Sequence, residues 1–140
     1  MDVSKESPEN GLLDSIPNNL PALLKSQKIQ KKAAQVGFDW PDNNGPIEKL
    51  TEECNELIQA IKNNHETNID EEIGDILFSI VNICRKNNKS AEELLQKSNK
   101  KFIQRFKVLE KIIKAHKKTI HECTLNELNI FWDQAKKQQI

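Results

Sequence analysis

The chain has 140 residues, enough for one domain and too few for two full ones. Its 21 basic and 21 acidic side chains give zero formal net charge, which removes a global electrostatic case for nucleic acid or an anionic membrane as partner. No positively charged start precedes an apolar run and no stretch approaches transmembrane length, so a cytoplasmic protein that avoids membranes is expected.

Residues 1–18 are polar and rich in Ser, Asn, Glu and Pro, and read as a flexible tail; residues 19–140 read as one helical domain. Pro21 suits the first turn of a helix running to about Val36, and Gly37 suits its stop. A loop with two aromatics, Phe38 and Trp40, leads to Pro46, where a second helix is expected to open before fraying near Asn63 and Asn64. A third helix is expected from Asn68, where Asn68-x-x-Glu71 resembles a capping box, to about Asn87. Ser90-Ala91-Glu92-Glu93 is a stronger box and begins a long helix through Leu94, Phe102, Phe106, Leu109 and Ile113. Thr124-Leu125-Asn126-Glu127 opens a last helix carrying Leu128, Phe131 and Trp132. With no strand alternation and four glycines in all, the fold class is all-α. Broad apolar stripes in so short a chain imply burial between subunits as well as within one.

The three cysteines show no C-x-x-C spacing, and Cys54 and Cys84 fall on apolar stripes, where small buried hydrophobes are expected. His116, His121 and Cys123 make only a weak zinc pattern, and Trp40 reads as core or loop packing.

The sharpest signal is a pair of pairs. Glu53 and Glu56 stand three apart on the second helix, and Glu72 and Asp75 three apart on the third. Positions i and i+3 return to nearly one helix face, so each pair is a two-pronged ligand. Packing the stripe of Ile47, Leu50, Cys54, Leu57, Ile58 and Ile61 against that of Ile69, Ile73, Ile76, Leu77, Ile80, Ile83 and Cys84 in an antiparallel hairpin brings both pairs to one side of the seam. Clustered carboxylates repel unless protonated or neutralised, and hard oxygen donors without His or Cys favour magnesium, with manganese as the alternative. One acidic pair alone reads as an ordinary solvated decoration; two at one height on neighbouring helices favour the metal site over that alternative.

Charge is also segregated. Acids dominate from Glu48 to Asp75 and bases from Arg85 to Lys118, as an acidic metal site facing a metal-bound polyphosphate requires. Lys101 and Arg105 stand four apart on one helix face.

Four separated motifs then carry a resemblance: Leu20-Pro21-Ala22-Leu23 through Gly37-Phe38-Asp39-Trp40, Glu52-Glu53-Cys54-Asn55-Glu56, Glu71-Glu72-Ile73-Gly74-Asp75, and Lys97-Ser98-Asn99-Lys100-Lys101-Phe102 with Arg105-Phe106. Together with the terminal Phe131-Trp132 and Lys136-Lys137, they resemble the MazG family of all-α nucleoside triphosphate pyrophosphohydrolases, especially the C-terminal domain of its two-domain members. The resemblance implies a MazG-like bundle completed by homodimerisation that cleaves a nucleoside triphosphate between its α and β phosphates, giving a monophosphate and pyrophosphate. It implies magnesium ligation and catalysis by Glu53, Glu56, Glu72 and Asp75. It places Lys49, Asn99, Lys101, Arg105 and Lys136 on the nucleotide and Trp132 against the base. Glu52 and Glu56 both remain candidates for the proton acceptor. Two departures stand out: Asn68 sits where some relatives have a lysine, and the upstream domain of the longer members is expected to be missing. Two rival readings remain, a non-catalytic helical dimer binding metal, nucleotide or a partner protein, and a nucleotide sensor without turnover.

Overall fold

A computed structural model describes residues 11–138, and it is helical throughout those residues, with no strand. The α-helices are α1 (Ala22–Gln35), α2 (Asn44–Lys62), α3 (Glu66–Lys86), α4 (Ala91–Ala115) and α5 (Leu125–Gln138), with a 3-10 turn at Ile120–Glu122 before α5. The all-α expectation holds. Of the expected tail, residues 1–10 lie outside the described residues. Residues 11–18 form turns, and Lys32 of α1 donates to the Leu12 carbonyl at 3.3 Å and to the Ser15 hydroxyl.

Helix ends follow local chemistry. Gly37 (φ 94°) stops α1, with its N–H on the Ala34 carbonyl and that of Phe38 on the Ala33 carbonyl. The same left-handed stop recurs without glycine: Asn64 (φ 52°) ends α2, Asn88 (φ 56°) ends α3 and Lys117 (φ 58°) ends α4. In each, the next residue's N–H returns to a carbonyl of the final turn, as His65 does to Ala60 at 3.0 Å and Lys89 to Cys84 at 2.8 Å.

Two expected starts are corrected. Helix α2 begins at Asn44, with Pro46 buried inside its first turn, where a missing N–H costs nothing. Helix α3 begins at Glu66, and its cap is His65, whose Nδ1 accepts the Asn68 N–H at 3.4 Å. Asn68 is therefore the capped residue, and the box predicted there does not form. The box at Thr124 forms in both directions: its Oγ1 accepts the Glu127 N–H at 3.2 Å, and Glu127 Oε1 accepts the Thr124 N–H at 3.1 Å. At Ser90 the Oγ accepts the Glu93 N–H at 3.2 Å.

Length argues for a single core, whereas the residues form two compact units that divide within α4, after Glu93. In the first unit α3 packs against both α1 and α2, and Pro46, Ala60, Val81 and Ala91 are buried. The buried Gln30 of α1 donates to the Phe78 carbonyl of α3 at 3.0 Å. Gln27 clamps the turn before α4, donating to the Lys89 carbonyl and accepting the Ala91 N–H. The loop before α2 is tied to α3 by a two-pronged Asp39–Arg85 ion pair and by Lys86, which donates to the Trp40 carbonyl at 2.6 Å. Only glycine fits at position 45, because a Cβ there would stand 2.2 Å from Trp40 Cε3.

The second unit has its own core of Leu109, Ile113, Phe131 and Ala135, with Phe106, Leu128 and Trp132 among the side chains packed against it.

Candidate metal centre on the hairpin of α2 and α3

A turn of three residues joins α2 to α3, so the two helices run antiparallel, and each presents two distinct faces. On α2, Pro46, Leu50, Glu53, Leu57 and Ala60 share the inner face, whereas Ile47, Cys54, Ile58 and Ile61 lie about 100° round from it. All four of the latter are exposed. The burial expected for Cys54 is thus corrected: the broad apolar stripe is really two faces, and Cys54 is on the outer one. Cys84 is half-buried.

Glu53 occupies the inner face with 3% of its surface accessible, and Glu72 of α3 is half-buried. Carboxylate oxygens of Glu53, Glu56 and Glu72 lie within 4.8 Å of one another, the one such acidic, His or Cys grouping among the described residues. Asp75 lies one turn further along α3, exposed, and is outside this group of three. His116 and Cys123 use their donors elsewhere, His116 Nδ1 meeting the Ile112 carbonyl at 2.9 Å and Cys123 Sγ the Thr119 carbonyl at 3.5 Å.

Electrostatics divide the carboxylates. A hydrogen bond from Glu72 and a 3.0 Å contact with Lys49 Nζ hold Glu53 below the usual carboxylate range. Glu72 is pushed up to about 8, first by its hydrogen bond to Glu53, then by burial, then by Glu56. Without a cation the cluster therefore keeps one proton, carried on Glu72 and shared toward Glu53. Even so, Glu53 Oε2 and Glu72 Oε2 are buried without a hydrogen-bond partner. Two orphaned carboxylate oxygens beside a third acid fit a divalent hard cation, which would replace the proton and satisfy both.

The remaining candidates fall in two places. Lys49 stands beside the cluster, 4.0 Å from Glu52 as well as close to Glu53. A cavity of about 510 Å³ adjoins Glu56 and Glu72 and is otherwise lined by Ala60 and by polar side chains, among them Asn55, Gln59, His65 and Asn68. In the second unit, Asn99, Lys101 and Lys136 are exposed. There the guanidinium of Arg105 sits 5.6 Å from the Trp132 ring centre, and Phe102 packs on the same indole at 5.3 Å. Residue spacing gave no hint of this polar cavity, because its lining comes from the ends of two helices and the turn between them.

Hairpin, acidic trio and orphaned oxygens together define an all-α protein with a carboxylate cluster that could hold a metal ion. The model of the MazG nucleotide pyrophosphohydrolase domain matches residues 43–120, and the chain belongs to that family. It is 39% identical over 136 residues to a nucleoside triphosphate pyrophosphohydrolase of Escherichia coli, covering 94% of this chain and 51% of that protein. Identity is 43% over 117 residues to the nucleoside triphosphate pyrophosphohydrolase/pyrophosphatase MazG of Thermotoga maritima, covering 84% of this chain and 45% of the relative. A Bacillus subtilis protein, the uncharacterized YabN, is 40% identical over 138 residues, which are 98% of this chain and 28% of that one. The chain thus spans about half the length, or less, of these relatives.

Proposed function

We propose that the protein is a magnesium-dependent nucleoside triphosphate pyrophosphohydrolase that cleaves between the α and β phosphates, acts as a homodimer in the cytoplasm, and clears nucleotides from the pool. The observation that carries this reading is the trio Glu53, Glu56 and Glu72 within 4.8 Å, with two buried oxygens left without partners. Membership of a pyrophosphohydrolase family supplies the reaction class.

A divalent cation held by Glu53, Glu56 and Glu72, with Asp75 as a further ligand, would neutralise the acids and draw charge from a phosphoryl oxygen. Manganese would serve in the same donor set. Lys49, hydrogen-bonded to Glu53, fixes that carboxylate's orientation and offers a positive charge to the phosphates. Of the two candidate proton acceptors, Glu56 is favoured: it faces the polar cavity, whereas Glu52 lies outside the trio and has Lys49 at 4.0 Å. Asn99, Lys101, Arg105 and Lys136 are proposed to meet the polyphosphate, and the exposed part of Trp132 the base. No helix among the described residues is long and apolar enough to cross a membrane, and the zero formal net charge supports a small-molecule substrate over a nucleic acid. Exposed Ile58, Ile61, Ile73 and Leu77 support a second copy as partner.

Phosphorus NMR of a panel of nucleoside triphosphates, incubated with the protein in magnesium and in chelator, tests the reading. Magnesium-dependent monophosphate and pyrophosphate are expected. Orthophosphate and diphosphate would move the cleavage to the terminal phosphate, and no turnover of any triphosphate would leave a binding protein.

A further inference from the structure

The first unit holds a second cavity, more apolar than the one beside the carboxylates. It measures about 600 Å³, within the range of small-molecule pockets, and none of the four acids lines it. Its walls include Phe38, Trp40, Phe78 and Ile29, with Gln30, Asn82 and the Asp39–Arg85 ion pair as the polar part of the lining.

These walls are held in place. Trp40 rests on Gly45, its carbonyl takes a hydrogen bond from Lys86, and its neighbour Asp39 is clamped by Arg85. Phe38 is nonetheless 82% exposed, an expensive position for a phenyl ring unless something covers it.

Gln30 supplies the second observation. It is more than nine-tenths buried, and its amide nitrogen is engaged by the Phe78 carbonyl at 3.0 Å and by the Ser26 hydroxyl at 3.4 Å. That orientation is fixed, since the carbonyl accepts only from N–H. It leaves Gln30 Oε1 buried and without a partner. A buried acceptor with no donor is costly and is the feature a ligand N–H would relieve.

We propose that this cavity takes a flat aromatic heterocycle with an N–H edge, the chemistry of a nucleobase, between the aromatic rings and Gln30. Stacking suits Phe38 and Trp40, and an N–H edge suits the one unanswered acceptor. The cavity lies within reach of the metal centre: Asp75, Phe78 and Asn82 share one side of α3, and Asn82 is roughly 10 Å along the axis from Asp75. If the base is the substrate's own, which rests on the pyrophosphohydrolase reading, this cavity replaces Trp132 as its platform; if Trp132 holds the substrate's base, the cavity takes a second nucleoside.

The experiment is titration of the nitrogen-labelled full chain with adenosine, guanosine, cytidine and uridine, uncharged and without metal, while following the indole N–H signals of Trp40 and Trp132. Trp40→Phe and Trp132→Phe assign the two signals. A saturable shift of the Trp40 indole is expected, weakened about fivefold or more in Phe38→Ala, the lower end of what one stacked ring contributes. Truncating so exposed a side chain leaves the helices intact, which circular dichroism verifies. A shift confined to Trp132, no saturable shift with any nucleoside, or unchanged affinity in Phe38→Ala overturns the proposal. None of these outcomes depends on turnover. Where triphosphates are hydrolysed, competitive inhibition by the same nucleoside assigns the pocket to the substrate's base, and non-competitive inhibition assigns it to a second molecule.

Discussion

Glu53 and Glu72 are acids placed where leucines would ordinarily pack, and the two respond in opposite directions. Glu53 is ionised and held by Lys49, whereas Glu72, raised to about 8, keeps its proton. A cation must displace that proton, so affinity for manganese is expected to rise about tenfold per pH unit below pH 8 and level off above it. Calorimetry in two buffers of different ionisation heat checks this through release of close to one proton at pH 7. The stability of the metal-free protein carries the complementary sign. Glu72's folded value lies above its ordinary one, so its contribution is complete below about pH 4.5 and is lost as pH rises toward 8. Substituting Glu72→Gln keeps the shape and the donor to Glu53 but removes one negative ligand. It is expected to lower hydrolysis at least a hundredfold while leaving the metal-free helix content unchanged; full activity in both Glu72→Gln and Glu53→Gln would remove the metal centre from the mechanism.

At the scale of elements, polar chemistry at helix ends decided what was legible in the sequence. The boxes at Ser90 and Thr124 pair a hydroxyl with a glutamate three residues on, and both marked true starts. Asn68-x-x-Glu71 has the same spacing, yet His65 is already the cap, a role that imidazoles take too rarely for spacing to reveal. Gly37 was readable as a stop; Asn64, Asn88 and Lys117 adopt the same left-handed turn at some steric cost, and only the fold exposes it. In the site, Glu53, Glu56 and Glu72 were legible from periodicity, but the burial of Glu53 was not, because the wheel merged two faces of α2 into one stripe. The start of α5 offers a separate test. Lys118 and the Thr124 backbone hold Glu127 down to about 2, so this acid's contribution is present above its ordinary value and is lost as pH falls toward 2. Thr124→Ala removes the hydroxyl that accepts the Glu127 N–H, keeps the backbone N–H bond to Glu127, and should cost about 1 kcal/mol in urea denaturation followed by Trp132 fluorescence.

For the whole molecule, the issue is what covers the outer faces of α2 and α3. Ile47, Ile58 and Ile61 on one helix and Ile73, Leu77 and Ile80 on the other are each 43–54% exposed. Single exposed aliphatics are ordinary, but six on two adjoining helices form a face too apolar to be left to water. On both helices this face lies about 100° round from the inner acid, whereas Glu56 and Asp75 are turned about 60° the other way. Covering the isoleucines would therefore leave the acidic side open to substrate. A second copy of the chain satisfies this arrangement, since a two-fold axis sets the same face against itself. Light scattering behind gel filtration should give twice the 16.1 kDa of one chain. Ile58→Glu with Leu77→Glu sets four carboxylates into that dimer face without touching the inner seam, and is expected to yield the single-chain mass with retained helix content. If the unaltered protein already runs at 16.1 kDa, the apolar face has another occupant and the homodimer is wrong.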